Sequence, residues 1–144
     1  MSGIRGRLEG CWRLAGYEVT TAEEGVADRP LGDNPAGAIL YTPDGYMSAQ
    51  LARPGPYRDD DEEPNGYHIA YSGPYDVDEQ ARTVTHHVQV SLIPSWLGTT
   101  QIRKVAFGEP GTLVLTATEP RAGDRALITT TITWARQPPR PGRK

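Results

Sequence analysis

The sequence has few of the residues that staple or anchor small proteins. It contains one cysteine, Cys11, one phenylalanine and two methionines among 144 residues. A lone cysteine excludes an internal disulfide framework and a CxxC-type zinc site. No apolar run approaches the roughly 18 residues of a helical membrane span. The first ten residues hold no signal-peptide apolar stretch. The default expectation is a soluble protein of a reducing compartment, the cytoplasm. Positive charge is not in excess. The formal net charge is −3 and the pI about 5.6, which argues against a general nucleic-acid binder, because phosphate contacts need clustered Lys and Arg. Strong catalytic signatures are also missing: the chain has no GxSxG elbow, P-loop, GxGxxG or HExxH. Cys11 stands beside Trp12 with no Cys–His arrangement and reads as a small packed residue.

What the chain holds in quantity is glycine and proline, 16 and 13. That density of helix breakers disfavours a helical bundle and favours short strands joined by turns. The length fits one domain. Strands are expected over residues 10–20, 37–42, 46–52, 73–77, 82–92, 98–107, 113–118 and 126–136. Pro43-Asp44-Gly45 turns the second into the third: Pro presets φ and Gly accepts a positive φ. Residues 67–72 read as a turn of helix or an extended lead-in. Trp12 and Leu14 share one face of the first strand, Tyr17 and Val19 the other. In the strand 82–92, Val84, His86, Val88 and Val90 share a face, and Thr85, His87, Gln89 and Ser91 the opposite one. Residues 53–66, with Pro54, Pro56, Pro64 and the acidic run Asp59 to Glu63, read as a solvated loop or a flap over a pocket mouth. Residues 4–8 are expected as a short helix covering one end. Residues 1–136 form the expected domain, and 137–144, rich in proline and basic residues, a disordered tail. Eight antiparallel strands can close into a barrel, which removes sticky edges. Its interior is filled by side chains or holds one small ligand. A β-sandwich is the structural alternative.

Gly10-Cys11-Trp12 followed by Leu14 resembles the GxW opening of lipocalin-type barrels. A more specific series runs through Asn34-Pro35-Ala36-Gly37, Tyr41-Thr42-Pro43-Asp44-Gly45-Tyr46-Met47, Tyr71-Ser72-Gly73-Pro74-Tyr75, His86, Pro94-Ser95-Trp96-Leu97-Gly98 and Gln101-Ile102-Arg103. In that order it is similar to the lipocalin-like domain family of small bacterial and fungal proteins, over about residues 8–136. The resemblance implies an all-β, eight-stranded antiparallel up-and-down barrel, with Trp12 at the closed end and a basic residue of the last strand across its ring. Arg136, after Trp134, is placed to do this by cation–π stacking. The resemblance also implies a small-molecule ligand. Such barrels include carriers and, in natural-product pathways, cofactor-free cyclases or isomerases, an analogy at the level of fold.

Three histidines exist, His68, His86 and His87. Adjacent strand residues point to opposite faces, so His86 and His87 cannot easily share a metal, and no metal is expected. His86 lies on the valine face and so points inward. It is either a structural histidine bonded to neighbouring strands or a general base or hydrogen-bond partner for a ligand. Burial would hold an unpaired imidazole neutral. Arg103 shares a face with Gln101, Val105 and Phe107. Turned inward, it is a buried cation that needs a carboxylate or a ligand anion; turned outward, it is a solvated arginine. Seven tyrosines against one phenylalanine suit a pocket wall that buries and orients a ligand, although barrel packing would use them too. Tyr46, Ser48 and Gln50 alternate on one face, and Trp96, at a strand end, lines a mouth or plugs it.

The combined expectation is a barrel that binds a small, largely apolar or polyketide-like molecule, with no cofactor and no nucleic-acid or membrane partner. As a cyclase or isomerase it would use His86 as base or hydrogen-bond partner, Arg103 and Tyr71 to polarise a carbonyl, and Tyr46, Gln50 and Trp96 as walls. The rival is a non-catalytic carrier or sequestering protein. A third reading is a barrel packed solid. The oligomeric state is left open by the sequence, a dimer included.

Overall fold

Alternation of apolar and polar residues rolls this chain into a closed sheet. The computed structural model describes residues 3–21, 27–54, 68–120, 123 and 126–142. A helix α1 (Ile4–Leu8) precedes β1 (Gly10–Thr21), β2 (Ala27–Asp28), β3 (Ala36–Tyr41), β4 (Tyr46–Ala52), β5 (His68–Asp78), β6 (Thr83–His87), β7 (Val90–Ser91), β8 (Thr100–Phe107), β9 (Thr112–Pro120) and β10 (Leu127–Arg136). Strands β1, β3, β4, β5, β6, β8, β9 and β10 follow one another around an antiparallel barrel, and β10 closes it onto β1. The two-residue β2 and β7 pair with β1 and β5. The eight-stranded up-and-down barrel and the end-capping helix thus match the expectation from sequence.

The closed end is built around Trp12. Ile4 and Leu8 of α1 are buried beneath it, and the indole N–H of Trp12 donates to the Leu8 carbonyl at 2.9 Å. The Glu79 carboxylate accepts the backbone N–H groups of Ile4 and Arg5 and so ties α1 to the β5–β6 turn. The Arg136 guanidinium lies 4.0 Å over the Trp12 ring and donates to the carbonyls of Arg7 and Glu9. Gly10 sits at φ 122°, and a Cβ there would meet that guanidinium, so the glycine of the GxW motif clears the path of Arg136. Leu113, Leu115, Val84, Val105 and Trp134 are buried in the same core cluster as Trp12. Each such burial contributes about 1.5–3 kcal/mol.

Two bulges reset the alternation and overturn two expectations. Leu14 faces Trp134 but Gly16 faces Thr133, so one extra residue stands in β1. Beyond it Tyr17 turns to the same side as Trp12 and Leu14, into the lumen, and not to the opposite face. The expected strand 82–92 also breaks. Tyr75 pairs with His86, yet Ser72 pairs with Val90, again one residue too many. Val88 stays buried, but Val90 is flipped outward and is 64% exposed. The displaced backbone presses on β5, where a Cβ on Gly73 would lie 1.8 Å from the His87 carbonyl oxygen. Gly73 lets β5 run as one strand from His68, where sequence suggested only residues 73–77. The segment 53–66, expected as a solvated loop or a flap, lies outside the described residues from position 55 onward.

Candidate functional site

Away from the closed end the lumen is not filled. A cavity of about 290 Å³ lies among β1, β4, β5, β8, β9 and β10. Leu51, Ile69, Trp96, Ile128 and Ile132 give it apolar walls, and Tyr17, Tyr71, Gln101, Arg103, Glu119 and Thr130 its polar groups. The volume sits at the small end of the range for ligand pockets, about 300–1,000 Å³.

Arg103 reaches this cavity because β8 alternates inward at Gln101, Arg103, Val105 and Phe107. Its guanidinium donates to the Gln101 side chain at 2.9 Å and to the Ile102 carbonyl at 3.0 Å. Of its five N–H donors, others remain uncommitted among the described residues. Among the described residues no carboxylate forms an ion pair with it. A partly buried cation without an anion is an unspent electrostatic attraction.

Tyr71 stands beside it. Its ring meets Trp96 edge-on, with centroids 5.6 Å apart. Its hydroxyl lies 2.8 Å from Nδ1 of His86, whose Nε2 lies 2.7 Å from the hydroxyl of Tyr41. His86 is therefore clamped between two tyrosines. Burial, with help from the charges of Arg103 and His87, lowers its pKa to about 3. Burial pushes Tyr71 up to about 12 and Tyr41 well above the usual phenol range. At neutral pH all three side chains are uncharged.

Hydrogen counting favours one direction for this chain, because Tyr71 lines a cavity and Tyr41 does not. A neutral imidazole has one donor and one acceptor. Tyr41 is buried and has His86 as its hydrogen-bond partner. If Tyr41 accepted from Nε2, its own hydroxyl hydrogen would be buried without an acceptor, at a cost of about 1–3 kcal/mol. Tyr41 therefore donates to Nε2, Nδ1 carries the imidazole proton and donates to Tyr71, and the Tyr71 hydroxyl hydrogen is left to point toward the cavity. A neutral donor and a cation, Tyr71 and Arg103, then address the same space.

The other sequence candidates separate. His86 is inside the barrel as expected, but it stands behind Tyr71, to which it is hydrogen-bonded, and does not line the cavity. Trp96 is a wall, next to Tyr71. Tyr46 and Gln50 are corrected: they lie on the outer face of β4, because Met47, Ala49 and Leu51 take the inner one. The outward His87 pairs with Asp76 at 2.8 Å, which places it opposite to His86. Among the described residues no three His, Cys, Asp or Glu side chains cluster to hold a metal, and no helix is long and apolar enough to cross a membrane. Sequence reading missed Tyr17, turned inward by the bulge, and Glu119, whose strand was expected to end at residue 118.

Comparison with known proteins gives two findings. A family model described as a lipocalin-like domain matches residues 9–137. A 4'-hydroxy-3'-methoxypropiophenone carrier protein of Aspergillus oryzae is 38% identical over 76 residues, a match that covers 41% of this chain and 68% of that protein.

Proposed function

The chain belongs to the lipocalin-like domain family, and from that premise we propose that its lumen binds a small, largely apolar carbonyl compound and carries it without converting it. The observation that supports this most is the placing of Arg103 and Tyr71 together in the lining of a cavity that also holds Leu51, Ile69, Trp96, Ile128 and Ile132. A ligand oxygen there accepts from both, while Leu51, Ile69, Trp96 and Ile132 cover a flat body. The similar carrier protein is named for an aromatic ketone, a compound of this chemical type. His86, neutral and bonded at both nitrogens, serves as a support for Tyr71.

A second reading, a cofactor-independent isomerase or cyclase, draws on Glu119, which faces the same cavity. Its carboxylate would take a proton from the carbon next to the carbonyl. The resulting enolate oxygen would be held by Arg103 and Tyr71. In a ligand with a double bond conjugated to this enolate, return of the proton to the far carbon of the dienolate would complete an isomerisation.

The two readings separate in heavy water. The protein is incubated with 4'-hydroxy-3'-methoxypropiophenone and followed by NMR. A carrier binds it, loses affinity in Arg103→Gln and Tyr71→Phe, and leaves the hydrogens next to the carbonyl unexchanged beyond the buffer rate. Exchange accelerated by the protein and abolished in Glu119→Gln favours the isomerase and contradicts the carrier reading.

A further inference from the structure

The barrel wall is not zipped all the way round. β8 pairs with β6 along its run, from Lys104 opposite Thr83 to Thr100 opposite His87. β9 pairs with β10 as far as Pro120 opposite Leu127. Between themselves, β8 and β9 pair only from Phe107 opposite Leu113 to Lys104 opposite Thr116. Both strands run on past that point. Residues 100–103 and 117–120 therefore present open edges to each other.

Strand alternation identifies the groups involved. The Val105 amide donates to the Arg82 carbonyl, toward β6. The amides of Ile102 and Thr100 therefore point the other way, at the seam. On β9, the Thr112 carbonyl accepts from Gly108, on the β8 side, so Thr118 and position 120 also face the seam. Position 120 is proline and has no N–H to offer even to a closed ladder.

Side chains explain why the ladder stops. In the paired half, inward Val105 and Phe107 meet Leu113 and Leu115. In the unpaired half the inward residues are Gln101 and Arg103 against Ala117 and Glu119, with no apolar pair to hold the strands together. A second cavity, of about 500 Å³, lies at this seam and is walled by both strands. Gln101, Arg103 and Glu119 line it and the lumen cavity alike, so the two spaces meet there.

We propose that this seam is the ligand's way in and out: the strands part between residues 100–103 and 117–120, and a flat molecule passes edge-on between them into the lumen. The proposal rests on the lumen being the binding site. Arg103 then meets the ligand at the threshold and holds it inside, and the paired half of β8 and β9 with the Trp12 end of the barrel stays fixed.

The test staples the seam. Extending the observed register places Ile102 opposite Thr118, both on the outer face. Ile102→Cys and Thr118→Cys are combined in a Cys11→Ala background. Binding of 8-anilinonaphthalene-1-sulfonate, an aromatic anion, is followed by stopped flow before and after oxidation. If the thiols do not oxidise, a short bis-maleimide joins them. The expected result is at least a ten-fold fall in both association and dissociation rates, with affinity changed less than three-fold and, for the disulfide, full recovery on reduction. Unchanged rates in protein whose cross-link is verified by mass would overturn the portal.

A ligand-free arm keeps the two readings apart. In the natural chain the Ile102 and Thr118 amides should exchange with heavy water at least a hundred-fold faster than those of Lys104, Ala106, Val114 and Thr116. Equal protection overturns the seam whatever the probe does. Probe affinity that ignores Arg103→Gln and Tyr71→Phe counts against the lumen site, and leaves the exchange result to decide the seam.

Discussion

Tyr71 and His86 are joined by a 2.8 Å hydrogen bond across the barrel interior, between the phenol oxygen and Nδ1 of the imidazole. One end of this pair is sealed in the core and the other lines a cavity. A buried histidine thereby orients a hydroxyl at the cavity wall, and under the proposed function the bond divides the roles that the two residues play in stability and in binding.

The division is measurable in two conservative variants. Tyr41→Phe removes the donor to Nε2 and should cost about 1–3 kcal/mol of stability in urea unfolding, with ligand affinity held within about two-fold of the natural protein. Tyr71→Phe should cost a similar amount of stability and also weaken a ketone ligand about ten-fold, the equivalent of one hydrogen bond of about 1.4 kcal/mol. Equal binding losses in both variants would contradict the hydrogen-bond direction.

His86 should make stability depend on acidity. Its folded pKa, about 3, lies far below the ordinary 6.5. Between those values the unfolded chain binds the proton and the folded one does not, so stability is complete above about pH 6.5 and is lost as pH falls toward 3. From pH 7 to 4.5 the loss attributable to this group is on the order of 2–3 kcal/mol. Urea titrations at the two pH values should show that much less change in His86→Gln than in the natural protein.

Arg103 should select the charge of the guest. A phenol in the cavity is expected to bind more tightly as its anion, by about ten-fold at equal size. Affinity for a 4'-hydroxyaryl ketone should then rise as pH passes upward through the free phenol's own pKa. Arg103→Gln should flatten this profile and weaken a 4'-methoxy analogue, which has no phenol to ionise, by the same factor at every pH. A profile unchanged in Arg103→Gln would remove the cation from the account.

Arg136 should matter to the fold and not to the guest. Arg136→Ala removes the stack on Trp12 and two donors to the carbonyls of Arg7 and Glu9, which together are worth about 2–3 kcal/mol. Thermal unfolding should shift down by several degrees, with lumen affinity unchanged.

Much of this arrangement is legible in the sequence, for identifiable reasons. Period-two alternation places His86 inside and groups Arg103 with Gln101, Val105 and Phe107 without saying which way that face turns, and the Pro-Asp-Gly turn fixes the β3–β4 hairpin. The GxW motif and the late arginine announce the closed end. Alternation fails where a strand gains a residue: the bulge in β1 brings Tyr17 in, and the one before β7 turns Val90 out. A single extra residue leaves no compositional trace. Tyr46 and Gln50 mislead because polar residues on a sheet read alike whether they face a lumen or water. The face of β4 is settled by small Ala49 between Met47 and Leu51. The hydrogen-bond partners of His86 come from β3 and β5, a relation that requires the closed barrel.

The most direct measurement of the central claim is a titration of the isotopically labelled protein with 4'-hydroxy-3'-methoxypropiophenone, read at the arginine Nε–H and tryptophan indole signals. The Arg103 and Trp96 signals should move together and saturate with one dissociation constant, while those of Arg136 and Trp12 hold still. Saturable movement at the Arg136–Trp12 end with none at Arg103 and Trp96 would contradict a ligand seated in this cavity.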